Sequence, residues 1–240
     1  TFMADGYARV TGKVGVAMVV PGPGALNAGA GLGTAYASSS LVLLISGQIV
    51  SAALGKRQGQ LHEIEDQLDV FKPITKWNHR VSRVEEIPEA VHEAMRQLKT
   101  GRPRPVELEI PPDTLAATAN VDIIEPEKYR KATGDPSEIS RAARILADAR
   151  KPVIIAGGGT IISNASRELV DLAEFLQAPI MTTPEAKGVV PGDHYLSIGV
   201  NYTSLGPAHR VVPESDVILA VGTRFLIGGL EITDAQKVIQ

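Results

Sequence analysis

Residues 14–20 form an unbroken apolar run, followed by Pro21-Gly22-Pro23-Gly24 and then by helical spacing over 25–36. A run without alternation predicts a strand buried on both faces, as in a parallel sheet covered by helices. Proline fixes φ and glycine permits close approach to the backbone, so the turn is tightly specified. The helix carries Gly29, Gly31 and Gly33, each costing about 1 kcal/mol against alanine. Something is therefore expected to approach it closely. Two readings stay open: a tight turn with a closely packed helix, or a ligand at the carboxyl end of a parallel strand, where open α/β sheets bind ligands.

The same patterning organises the rest of the chain. Residues 2–10 are compatible with a helix that Gly12 ends. Residues 41–45 (LVLLI) make a second buried strand and complete a βαβ unit. Residues 51–69 are polar and carry no clear period, and 72–81 hold the single tryptophan, Trp77. Residues 87–100 read as a helix with Ile87, Val91, Ala94 and Leu98 on one stripe. In Val106–Ile110 apolar residues alternate with Glu107 and Glu109, so one face of that strand is expected to be wet or paired. Residues 116–135 have no period and read as a linker draped over the surface.

A new pattern starts at Asp135-Pro136-Ser137-Glu138, a helix start with Ile139, Ala142, Ala143 and Leu146 as its stripe. Strands are expected at 152–156, 179–181 and 217–221, with an amphipathic helix at 166–176 between them. Alternating strands and helices imply a second doubly wound sheet. The chain opens at Thr1 in what reads as mid-helix and closes at 237–240 in what reads as a strand start, so a piece of a longer protein is expected.

Composition narrows the function classes. At 240 residues the chain suits one large domain or two ordinary ones. A net charge of -3 makes no electrostatic case for nucleic acid or an anionic membrane. The absence of cysteine excludes disulfides and thiolate metal sites and is compatible with cytoplasm. No apolar stretch approaches the roughly 20 residues that span a bilayer, and no signal peptide is evident.

Candidate chemistry is sparse. Gly157, Gly158 and Gly159 follow a strand and precede a helix, where backbone N–H groups can hold phosphate. The run is either a plain tight turn or a nucleotide or flavin loop. It does not complete G-x-G-x-x-G, because Ile162 stands at the last glycine, and no Gly-Lys-Ser/Thr is present. His62 beside Glu63 reads as a general base or as a surface residue. His79, His92, His194 and His209 are scattered without metal-ligand spacing, so no metal site is expected. No serine sits in G-x-S-x-G.

Asp5-Gly6-Tyr7-Ala8-Arg9 with Thr11-Gly12-Lys13, then Gly22-Pro23-Gly24-Ala25 with Asn27, resembles the pyrimidine-binding domain of thiamine diphosphate enzymes, nearest to acetolactate synthase and its relatives. Ser46-Gly47-Gln48, Lys72-Pro73-Ile74-Thr75-Lys76, Thr100-Gly101-Arg102-Pro103 and Ile110-Pro111 continue the likeness. Lys151-Pro152, Thr182-Thr183 and Gly222-Thr223-Arg224-Phe225 are similar to the family's central domain. The resemblance implies an α/β protein of two doubly wound parallel-sheet domains. A pyrimidine-binding domain covers 1–117, a linker 118–135, and a Rossmann-like central domain 136–240.

By the same resemblance, the parent decarboxylates a 2-oxo acid and passes the product to an acceptor. Pro23, Gly24, Asn27 and His62 line the pyrimidine side of thiamine diphosphate, and Gly157, Gly158 and Gly159 offer a nucleotide or FAD loop. The family's catalytic glutamate falls before Thr1, and its diphosphate and Mg²⁺ ligands belong to a third domain, so this chain is expected to carry neither. A cytoplasmic homodimer or homotetramer is implied. The chain departs from the synthase pattern at Val20-Pro21, at Leu61-His62 and at Leu226-Ile227-Gly228-Gly229, the last near where flavin binds. Two alternatives remain: a CoA-thioester lyase or simple 2-oxo acid decarboxylase, and a non-catalytic nucleotide-binding or interaction protein that keeps the fold.

Overall fold

The structure is a computed structural model that describes residues 1–130, 132–200, 206–225 and 232–240. It divides into two compact units, Thr1–Ala132 and Thr133–Gln240. The first holds a four-stranded sheet, all parallel, in the order β1-β2-β4-β3. Its strands are β1 (Gly15–Val19), β2 (Val42–Gly47), β3 (Trp77–Arg80) and β4 (Val106–Ile110). Helices α1 (Phe2–Thr11), α2 (Pro23–Ser38), α3 (Gln67–Phe71), α4 (Ile87–Lys99) and α5 (Pro112–Ala116) connect or flank them.

One face of this sheet packs on α1 and α2 through Ala4, Ala25, Ala28, Leu32, Val42, Leu44 and Phe71. The other packs on α4 through Leu43, Ala90, Ala94, Leu98, Val106 and Leu108. Gly12 ends α1 in the left-handed region (φ 67), as its place in the sequence predicts. The 72–76 motif has a structural use. Lys76 Nζ donates to the carbonyls of Gln97 and Thr100, both at 2.6 Å, and so closes the carboxyl end of α4.

Two expectations need correction, and two are answered by the packing. The 14–20 run is not buried on both faces: β1 is an edge strand, with Val16 and Met18 55% and 72% exposed, while Ala17 and Val19 pack on the core under α1 and α2 and Val14 on the opposite core. The α4 stripe is rotated, burying Ala90, Ala94 and Leu98 while Val91 is exposed. Of the two forms expected for the acidic face of Val106–Ile110, wet or paired, the structure has the paired one: β4 lies between β2 and β3 with every residue buried, Glu109 pairs with Arg80 and Glu107 accepts from Ser46. Among the helix glycines, Gly31 is explained inside the chain. A Cβ there would collide with Thr1, whose hydroxyl donates to the Ala28 carbonyl (3.0 Å).

The second unit holds a five-stranded parallel sheet in the order β7-β6-β5-β8-β9. Its strands are β5 (Pro152–Ala156), β6 (Ile180–Thr182), β7 (Ser197–Val200), β8 (Val217–Val221) and β9 (Lys237–Ile239). Helices α6 (Pro136–Ala147), α7 (Gly158–Ile162), α8 (Ser166–Leu176) and α9 (Ala208–Val211) accompany them. The order reverses between β5 and β8, so the 157–159 glycines open at a topological switch point. Asp135 starts α6 by accepting from the N–H groups of Ser137 and Glu138. Of the expected α6 stripe only Leu146 is buried, and Ile139 is 58% exposed. No helix among the described residues is long and apolar enough to cross a membrane.

Candidate functional site

The carboxyl edge of the first sheet gathers the residues with chemical potential. Beyond β1 the chain turns at Gly22, which has φ 58 and caps α2, with Pro23 as the first helical residue. A Cβ on Gly22 would lie 2.5 Å from the carbonyl oxygen of His62, so only glycine fits this approach. His62 is itself held at φ 71. The structure thus brings the backbone of the 61–63 segment against the 22–24 turn, although 40 residues separate them. Pro23 and Asn27 are exposed, while Gly24 and His62 are half-buried. Val20 and Leu26 stand exposed beside them, so the turn presents apolar surface with one amide. Glu63 uses its carboxylate to accept from the Gln60 N–H (2.8 Å).

Behind the turn lies a buried polar cluster. Gln67, Ser46, Glu107 and Glu109 are each 0% exposed. The Gly22 N–H donates to Gln67 Oε1 (3.0 Å). Gln67 Nε2 donates to the Gly47 carbonyl (2.8 Å), Ser46 Oγ (3.1 Å) and Glu109 Oε2 (3.1 Å). The Ser46 hydroxyl donates to Glu107 Oε1 (2.5 Å), and Arg80 Nε pairs with Glu109 Oε1. Glu107 Oε2 is buried with no hydrogen-bond partner.

Burial pushes the Glu107 carboxyl up to about 8, and the charge of Glu109 adds to the rise. The Ser46 hydrogen bond and Arg80 pull the other way. A carboxyl taken from water favours its neutral form unless a cation or several donors hold the charge. Here Arg80 serves Glu109 directly, which leaves Glu107 to take the proton.

Sequence reasoning passed over Gln67, Arg80 and the role of Ser46. A signal was present in Glu107 and Glu109, two acids inside a short apolar strand of a parallel sheet. Their partners sit on β2, β3 and α3, so only the strand order could name them.

In the second unit the loop glycines are packed against the turn after β8. A Cβ on Gly157 would collide with the Gly222 carbonyl, and one on Gly159 would lie 2.8 Å from Gly222 Cα. The N–H groups of Gly157, Gly159 and Thr160 donate to the carbonyls of Val221, Gly222 and Gly157. Those donors are engaged within the chain. The departure at 226–229 lies outside the described residues. Among the described residues no group of three or more His, Asp or Glu is placed to hold a metal ion.

Comparison with known proteins finds matches over both units. Residues 1–70 match the family model for the thiamine pyrophosphate enzyme N-terminal TPP binding domain, and residues 139–240 match that for the central domain. The chain is 42% identical over 232 residues to a probable acetolactate synthase large subunit of Methanocaldococcus jannaschii, covering 92% of this chain and 38% of that protein. It is 41% identical to the acetolactate synthase large subunit of Buchnera aphidicola (94% and 40% covered). It is 43% identical to a probable 2-ketoarginine decarboxylase of Pseudomonas aeruginosa (92% and 40% covered). The chain thus spans about two-fifths of the length of these relatives. With both models matched in order and together accounting for more than half its length, the chain belongs to the thiamine pyrophosphate enzymes.

Proposed function

We propose that the protein containing this chain is a thiamine-diphosphate-dependent enzyme that decarboxylates a 2-oxo acid and transfers the remaining fragment to an acceptor, as an acetolactate synthase does. The observation that carries this reading is the collinear likeness to acetolactate synthase large subunits over 92% of the chain. When bound, thiamine diphosphate supplies the electron sink that lets a 2-oxo acid lose CO₂.

The residues of this chain fit one part of that cofactor. Gly22 brings backbone rather than side chain to the turn, because its Cβ position is taken by the His62 carbonyl. Exposed Val20, Pro23 and Leu26 offer an apolar bed for a flat heteroaromatic ring. Asn27, one helical turn after Pro23, adds an amide that can orient ring nitrogens. We assign Pro23, Gly24, Asn27 and His62 to the pyrimidine side. Mg²⁺ and the diphosphate we assign to residues outside this chain. A flavin or ADP at Gly157, Gly158 and Gly159 would depend on Gly158 and nearby side chains, since the flanking N–H groups are engaged. A flavin absorption band in the purified full-length protein tests that assignment.

Assay of the full-length protein with thiamine diphosphate, Mg²⁺ and a panel of 2-oxo acids tests the main reading. Acetolactate from pyruvate is expected, and no product from any 2-oxo acid would overturn it. A second reading, decarboxylation without ligation, is favoured by the likeness to the 2-ketoarginine decarboxylase and by Val20-Pro21 and Leu61-His62. It predicts CO₂ release without a ligated product. We further propose a cytoplasmic dimer or tetramer in which two subunits share each cofactor. Sedimentation of the purified protein as a monomer would refute that assembly.

A further inference from the structure

We propose that Gln67 is a positioning residue for the cofactor-facing turn at Gly22, and that the buried carboxyl pair Glu107 and Glu109 sets the orientation of its amide. The inference rests on the reading that this turn receives the pyrimidine of thiamine diphosphate. Gln67 is the link between two otherwise separate features. Its Oε1 accepts from the Gly22 N–H, the residue that caps α2 and precedes Pro23. Its Nε2 faces three acceptors: the Gly47 carbonyl, Ser46 Oγ and Glu109 Oε2.

The donor and acceptor roles leave one arrangement. A Gly22 N–H can only donate, so the atom facing it must be the amide oxygen. A carbonyl and a carboxylate can only accept, so the atom facing them must be the amide nitrogen. Ser46 is consistent with this, because its own proton goes to Glu107 and its oxygen stays free to accept. Flipping the amide would set Oε1 against Gly47 O and Glu109 while placing two donors together at Gly22. Every partner is buried or backbone, so water cannot repair the mismatch.

Charge on the pair then reaches the turn. Glu107 is faced by Glu109 on its own strand, by Ser46 on β2 and by Arg80 on β3. Arg80 also lies 3.8 Å from Asp66, the residue before Gln67. While Glu107 holds its proton, Ser46 donates to a neutral acid and one anion, Glu109, is balanced by Arg80. Ionisation of Glu107 puts a second buried anion beside the first. Arg80 is then shared between the two anions, and the set of Glu109, Ser46 and Gln67 around it rearranges, which moves the amide away from its place at Gly22. Cofactor affinity of the turn should fall as Glu107 ionises.

The test is titration of the full-length protein with thiamine diphosphate at fixed Mg²⁺, following both binding and steady-state rate between pH 6 and 9. Wild type is expected to bind more weakly above about pH 8. Gln67→Leu should raise the half-saturating cofactor concentration about tenfold, the scale of one buried hydrogen bond lost. Its effect on kcat at saturating cofactor should be smaller. Glu107→Gln keeps the volume and the acceptor for Ser46, and should abolish the pH step while retaining binding at pH 7. If Gln67→Leu does not fold, the Glu107→Gln profile decides alone. Unchanged cofactor affinity in Gln67→Leu, or a pH step that persists in Glu107→Gln, would overturn the proposal while leaving the functional reading intact. No binding by folded wild type would overturn both.

Discussion

The Gly159 N–H donates to the Gly222 carbonyl at 2.9 Å, and a methyl group on Gly159 would lie 2.8 Å from that same oxygen. The two glycines join the ends of β5 and β8 at the switch point of the second sheet. Their contact accounts for the glycine at 159 by backbone lying on backbone.

Gly159→Ala separates two effects of opposite sign. Helix propensity alone favours alanine by about 1 kcal/mol. Forcing a Cβ into the Gly222 backbone costs about 1–3 kcal/mol, as overpacking does. The clash should win, because backbone cannot rotate away as a side chain can. Urea denaturation of the second unit should show a lower midpoint. Gly158→Ala should be milder, since its Cβ would meet the Glu185 Cβ at 3.1 Å. Equal or higher stability of Gly159→Ala would mean that the β8 turn yields.

Glu107 gives stability a pH dependence with a definite sign. Its carboxyl titrates near 4.5 when solvated and near 8 in the fold. Between these values the folded chain keeps a proton that the unfolded chain releases. Its contribution is complete below about pH 4.5, falls by up to about 1.4 kcal/mol per pH unit as pH rises, and levels off above about 8. Denaturation midpoints of wild type and Glu107→Gln across this range should diverge accordingly. Parallel profiles would show that Glu107 is not the group responsible.

Gly22→Ala joins two penalties. The φ of 58 is left-handed, and the added Cβ would meet the His62 carbonyl at 2.5 Å. The conformational part alone is about 1–2 kcal/mol. We expect loss of thiamine diphosphate binding in the full-length protein together with a lower melting temperature. A variant that binds as wild type does would remove the 22–24 turn from the site.

Leu98→Ala and Val91→Ala test the rotated face of α4. Leu98 is fully buried against the sheet, and its truncation should cost about 2–5 kcal/mol. Val91 is exposed and lies in a groove with Ile87, Val121 and Ile124, so its truncation should cost well under half as much. Chemical denaturation of the two variants checks the ranking. The reverse order would restore the stripe that the sequence spacing predicts.

What could be read from the chain was local and periodic. The spacing of apolar residues placed α1, α2, α4, α6, α8 and seven of the nine strands among the described residues, each within a few residues. It missed β7 and left β3 open, because Trp77–Arg80 and Ser197–Val200 are short and carry polar or small residues. The glycine turns were legible because φ > 0 and close approach leave a mark on composition. The ordered motifs named the family, and Pro23, Gly24 and Asn27 could be nominated from that resemblance.

What only the tertiary structure decided was which surfaces meet. Periodicity says that a face is apolar, but not whether another element covers it. The 14–20 strand therefore read as doubly buried, although β1 is an edge. Val91 read as core for the same reason. The cluster of Ser46, Gln67, Arg80, Glu107 and Glu109 draws on β2, α3, β3 and β4, and the crossover order β1-β2-β4-β3 alone makes them neighbours. By itself the sequence determined the kinds of elements and the family. The fold decided where buried charge could be tolerated, because the cost of an acid away from water depends on its partners in space and not on its place along the chain.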